Sequence, residues 1–235
     1  MSSFELSEYQ KNILNNVQNN NQNLLVNAKA GAGKTSTLIM IADLLNKQNK
    51  KCLFLAFNKS IVNELSLKIT SDKCQIKTVH SLGLSFIRSY LYRKHNTNYE
   101  IETDSGKVRD LVKFYFNELL YNDFIIANSY LDKESLQDLM NDFISELINL
   151  CNFCRYYNIN YHDEFAVIFL MHKCCKELRD YKDCGLKDFP KLIECVIDKI
   201  KYDFENPSIS EDGKAHYVID FTDMIYFPCL YRMFP

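Results

Sequence analysis

The chain has 235 residues, enough to bury a core as one large domain or two modest ones. Its 47% hydrophobic and 25% charged residues are ordinary for a soluble globular protein, and a net charge of −2 gives no compositional sign of nucleic-acid binding. The distribution of charge says more. From Lys29 to His95 there are twelve Lys/Arg against three Asp/Glu, a surplus of +9, while the remainder carries 16 against 27, or −11. A basic block inside an otherwise acidic chain is an electrostatic footprint.

Nothing at the start resembles a secretory leader, since "MSSFELSEYQ" is polar and acidic. The longest apolar run, "FAVIFLM" at 165–171, is too short to cross a bilayer, so no membrane association is expected. The nine cysteines are therefore expected to be reduced thiols in an intracellular protein of the cytoplasm or nucleus, not a secreted one. Cys151 and Cys154 form a CxxC, with His172, Cys174 and Cys175 downstream, which superficially suggests zinc. Both segments read as helical and no second CxxC follows, so scattered core cysteines are the favoured reading.

In chain order, residues 4–18 predict an amphipathic helix with Leu6, Tyr9, Ile13, Leu14 and Val17 on one side and Ser7 as an early cap. The Asn-rich "NNVQNNNQN" ends it. "LLVNA" (24–28) predicts a short buried strand, and "TSTLIMIADLL" a helix with Leu38, Ile41, Ala42 and Leu45 inward. "CLFLAF" (52–57) predicts a second strand followed by a helix over 60–69. "CQIKTV" (74–79) predicts a third, followed by a helix from about Ser81. Continuously apolar strands alternating with helices predict an α/β fold: a parallel sheet with helices on both faces.

From about 100 to 210 strand signals almost vanish. Helices are expected over "KVRDLVKFYFNELL", "SLQDLMNDFISELINLCNFCRYY", "DEFAVIFLMHKCCKELRDY" and "FPKLIECVIDKIKYDF". The last piece, "HYVIDFTDMIYFPCLYRMFP", predicts a strand and then a short helix with Asp220 as its cap. The expected organisation is a P-loop domain over 1–99, an all-α insertion over 100–215, and a segment over 216–235 returning to the first domain.

The stretch Ala28-Lys29-Ala30-Gly31-Ala32-Gly33-Lys34-Thr35 matches the Walker A pattern G-x-x-x-x-G-K-[ST], with alanine at its first position. Small residues let successive backbone N–H groups converge on one anion, and a helix beginning at Lys34 adds the positive end of its dipole. Lys34 would reach the β- and γ-phosphates of ATP and the Thr35 hydroxyl would bind Mg²⁺, which makes this pair the catalytic candidates.

"LSEYQ", "NAKAGAGKT", "LAFNKSIVNEL" and "TVHSLG" occur in the order seen in UvrD/Rep-like superfamily 1 DNA helicases, and "IDFTDMIYFP" resembles the stretch those proteins carry just before their Walker B strand. The likeness covers residues 4–95 and 216–230; the helical middle matches by position, where the family inserts its 1B subdomain into a RecA-like 1A. Alanine at position 28 is common in that family. The resemblance implies that Gln10 binds the adenine edge and that 28–36 hold the nucleotide. Ser36 stands where many relatives have an arginine. It implies that Phe57, Asn58 and Lys59, with Thr78, His80 and Ser81, contact DNA. Here Phe57 stacks on a base; an ordinary core phenylalanine is the competing reading.

The family's Walker B acids lie a short way beyond "DFTDM", and reading Asp220 as their equivalent is disfavoured because Phe221 follows it. The expectation is thus the N-terminal part of an ATP-dependent helicase, binding ATP·Mg²⁺ and single-stranded or forked DNA better than it turns ATP over, with a partner chain supplying the missing motor half. A non-hydrolytic ATP- and DNA-binding module stays open beside it. A P-loop small-molecule kinase is disfavoured, because Arg109, Arg155 and Arg179 lie too far apart to form a lid.

Overall fold

A computed structural model describes residues 6–20, 22–175 and 188–234, and divides the chain into two compact units, Met1–Leu82 and Gly83–Pro235. The class is mixed α/β, with ten helices and two small sheets among the described residues.

The first unit begins with α1 (Glu8–Asn19), where Ser7 and Gln10 form a reciprocal capping box. After the loop come α2 (Lys34–Lys47), β1 (Cys52–Ala56), α3 (Lys59–Lys68) and β2 (Cys74–Thr78). The strands pair in parallel, Cys52 opposite Cys74 and Ala56 opposite Thr78. One face is packed: Phe54, Cys74 and Ile76 lie against Ala42, Leu65 and Ile69 of the flanking helices. The other face is open, with Leu53 44% exposed and Leu55 49% exposed, so among the described residues of this unit helices do not cover both faces.

The expected strand at 24–28 is also not found; the segment is irregular and Leu25 is 95% exposed. A strand exists only where a neighbour accepts and donates its ladder hydrogen bonds. Among the described residues none pairs with 24–28, although the two-stranded sheet keeps an outer edge on each of β1 and β2. An apolar run by itself therefore does not place "LLVNA" in a ladder.

The division into units falls at the start of α4 (Val79–His95). The second unit continues with β3 (Tyr99–Thr103), α5 (Lys107–Leu119), α6 (Tyr121–Ala127), α7 (Lys133–Tyr156), α8 (Glu164–Cys174) and α9 (Phe189–Glu205). It ends with β4 (Ser208–Ile209), β5 (Ala215–Ile219) and α10 (Asp223–Leu230). Four of these helices fall where periodicity places them, although the stretch 176–181 expected to extend α8 lies outside the described residues, as does Arg179. Strands β3 and β4 and helix α6 escaped the sequence reading. β3 pairs in parallel with β5, Tyr99 opposite Ala215, and β4 runs antiparallel on β5's other side. One large core joins these elements, with Val112, Phe116, Leu147, Leu150, Ile193, Val196 and Phe227 at zero exposure.

That core contains the CxxC. Cys151, Cys154 and Cys175 are buried free thiols, and burial first of all pushes Cys154 and Cys175 up to about 12. They behave as small hydrophobes. The core also holds charges. The Arg155 guanidinium donates to Asp220 at 3.2 and 2.8 Å, to Asp223 at 2.6 Å and to Asn152 at 2.7 Å. Lys107 donates to Asp223 at 2.9 Å and to the Val218 carbonyl at 2.8 Å. Two cations face two carboxylates, tying α5 and α7 to the turn between β5 and α10.

Candidate functional site

The loop between residue 28 and α2 turns twice through left-handed backbone, at Gly31 (φ 78°) and Gly33 (φ 77°). Any other residue would be strained at either position. Gly33 serves as N-cap of α2 with no side chain capping the helix. The amides of Gly31, Gly33, Lys34, Thr35 and Ser36 have no protein acceptor among the described residues, whereas Ala32 donates to the Lys29 carbonyl. Lys34 is exposed, and its ammonium donates to the carbonyls of Ala28 at 3.0 Å and Lys29 at 2.8 Å. It spans the mouth of the loop. Thr35 is half-buried one residue on.

Unoccupied donors, two left-handed glycines and an ammonium at a helix N-terminus are the elements that a cradle for a polyanion needs. The donor set fits a phosphate chain with its metal: amides and Lys34 for oxygens, the Thr35 hydroxyl for a hard cation.

Gln10 is held beside this loop. Its Nε2 donates to the Thr37 hydroxyl at 3.3 Å, and that hydroxyl donates to the Gly33 carbonyl at 3.0 Å. Its Oε1 is taken up by the Ser7 amide at 3.1 Å. The amide side chain thus docks α1 on the first turn of α2. Thr37, buried at 8%, is the link that the sequence reading missed. Its signal was its place four residues after Gly33, where a hydroxyl can reach back to that carbonyl.

The second group of expected residues gathers at the carboxyl ends of β1 and β2. These strands end side by side at Ala56 and Thr78. Phe57 follows β1 directly and is 90% exposed, so it is not a core residue. Asn58 caps α3 by accepting from Ile61 N at 2.9 Å, and Lys59 opens that helix in solvent. Thr78 accepts from Ser81 N at 3.1 Å, and Ser81 donates to the Thr78 carbonyl at 3.1 Å. His80 lies between them, half-buried. The carboxyl edge of a parallel sheet is where open α/β folds place ligands. Asn58 and Thr78 have a structural reason to be there as caps, whereas an exposed phenylalanine on a rigid strand end has none.

The chain matches the family model of the UvrD/REP helicase N-terminal domain over residues 7–232, and it belongs to that family. No curated protein matches it. Membership carries helicase character, with ATP and DNA as the family's general ligands. No helix among the described residues is long and apolar enough to cross a membrane.

Proposed function

We propose that this chain is the ATP- and DNA-engaging part of a helicase, with the nucleotide at 28–36 and single-stranded DNA along the carboxyl edge of β1 and β2. The observation that carries the reading is the set of unoccupied amides at Gly31 and Gly33–Ser36 beside Lys34. Lys34 leaves its two carbonyl partners to reach the β- and γ-phosphates, Thr35 holds Mg²⁺, and Gln10 leaves Thr37 and Ser7 to offer its amide to the adenine edge. When bound, the metal neutralises phosphate charge and orients the triphosphate. Phe57 supplies a sequence-tolerant stacking surface, and His80 and Ser81 meet the phosphodiester beside it.

The deciding experiment is binding of a fluorescent ATP analogue in the presence of Mg²⁺. Lys34→Ala should weaken it by about 10- to 100-fold, the range for hydrogen bonds to a charged group. Equal affinity in the wild type and the variant would remove the nucleotide from this loop.

A further inference from the structure

Away from the loop and the sheet edge, three metal-ligating side chains converge in the second unit: His162, Glu194 and Asp198. His162 lies in the turn before α8, and Glu194 and Asp198 stand one helical turn apart on the same face of α9. The imidazole meets both acids, with Nδ1 2.9 Å from Glu194 Oε1 and Nε2 3.8 Å from Asp198 Oδ1. One donor atom from each residue lies within 4.8 Å of the other two. Two donors each bound to one ion stand about 3.3–4.2 Å apart, so modest rotations of partly exposed side chains close the triangle. The frame behind them is ordered. Asp163 N donates to the Asn160 carbonyl at 3.0 Å, and Asp163 caps α8 by accepting from Phe165 N at 3.0 Å. Buried Tyr161 sets its ring against the imidazole, centroids 4.4 Å apart, and donates its hydroxyl to Asp198 at 2.8 Å. Lys191 donates to Glu194 Oε2 at 2.5 Å and leaves Oε1 toward the imidazole. Outer hydrogen bonds that orient ligating carboxylates are what a metal centre needs behind its donors.

We propose that His162, Glu194 and Asp198 bind a first-row divalent cation, with Zn²⁺ the best match, which clamps the turn before α8 to α9. An imidazole nitrogen with two carboxylate oxygens suits zinc, whereas Mg²⁺ and Ca²⁺ favour sets made of oxygen alone. Three protein donors leave the fourth tetrahedral position to water. The CxxC is not part of this site, because a thiol ligates zinc only as thiolate and burial keeps Cys151 and Cys154 protonated. The competing state is an imidazole hydrogen-bonded between the two acids with no ion at all, and titration with the metal separates the two.

The test is isothermal titration of Zn²⁺ into the metal-free full chain. One saturable site is expected. His162→Gln should weaken it by about 100-fold or more, since even an outer hydrogen-bond partner of a metal ligand is worth about 10- to 100-fold. Unchanged zinc affinity in that variant would put the ion on other donors and overturn the site, as would the absence of saturable binding to the wild type. Equal affinity for Mg²⁺ would mark a diffuse acidic surface and also overturn it. If H162Q does not fold, hydrogen exchange on the wild-type chain decides. Zinc should slow the amides of 158–163 and 194–198, and protection confined to other segments overturns the proposal. None of these outcomes bears on the loop at 28–36, whose nucleotide binding is read separately.

Discussion

At the level of single residues, Phe57 and Gly83 give opposite lessons. Phe57 presents nearly its whole ring to solvent, so Phe57→Ala creates no cavity. It should leave the melting temperature unchanged while costing about 1–3 kcal/mol of single-strand affinity; a drop in stability without a loss of binding would return it to the core. Gly83 sits inside α4, where alanine ordinarily gains about 1 kcal/mol of helix propensity. Here a Cβ would stand 1.7 Å from the Met224 carbonyl oxygen, a backbone atom that cannot swing away. Gly83→Ala should therefore destabilise the second unit by about 3 kcal/mol or more despite the propensity gain, read as a fall in its denaturation midpoint. The resemblance placed "TVHSLG" at a DNA contact; the glycine itself is spent on helix packing.

At the level of elements, the buried charges and one histidine hold the second unit's sheet to its helices. Arg155 is fully buried, and Asp223 is too. Burial pulls the guanidinium down, yet Asp223 and Asp220 outweigh it and hold Arg155 above its ordinary value. Arg155→Met should cost about 3–5 kcal/mol by leaving two carboxylates to Lys107 alone, whereas Asp212→Asn on the exposed β4–β5 turn should cost almost nothing in the same urea titration. His95, on the last turn of α4, meets the Tyr217 hydroxyl of β5 at 2.6 Å. Burial, with Lys94 beside it, holds its imidazole below the ordinary value. The unfolded chain then takes up a proton near pH 6.5 that the folded one declines, so stability is full above that pH and falls as the pH drops through it. The second unit's melting temperature should be lower at pH 5 than at pH 7.5, and His95→Gln should flatten part of that difference. An identical pH profile in the variant would assign the loss to other groups.

At the level of the whole molecule, the two units differ in how much apolar surface they bury. The first gathers Ala42, Leu65 and Ile69 into a small cluster under one sheet face, while the second has a continuous core from Ile87 to Met233. Burial of apolar area is the main stabilising term, so urea should unfold the first unit at a lower concentration than the second. Amide exchange followed by mass spectrometry should find β1 and β2 exchanging before β3 and β5. A single transition with uniform protection would contradict this. The proposed nucleotide site lies in the first unit, so on that proposal saturating ATP·Mg²⁺ should raise the lower transition and leave the upper one in place.

The sequence by itself determined what is local. Lys34 and Thr35 after two glycines specify a loop and a helix start, because left-handed turns and orphaned amides follow from residue type. The cap at Ser7 and the periodic helices α5, α7, α8 and α9 follow from neighbours a few residues away, whereas Asp220, expected to cap the last helix, pairs with Arg155 and leaves the N-cap of α10 to Thr222. Tertiary structure decided whatever needs a distant partner. "LLVNA" is nearly as apolar as "CLFLA", yet only the latter became a strand, because strand character is completed by ladder hydrogen bonds and only 52–56 is paired. β3 carries the period-2 alternation of a half-exposed strand in "YEIET", a five-residue signal passed over between two helical stretches, and its pairing partner β5 lies over a hundred residues away. The burial of Arg155 with Asp220 and Asp223 was equally hidden. A charge enters a core only when its counter-charges arrive from elsewhere in the chain, and no local pattern records their arrival.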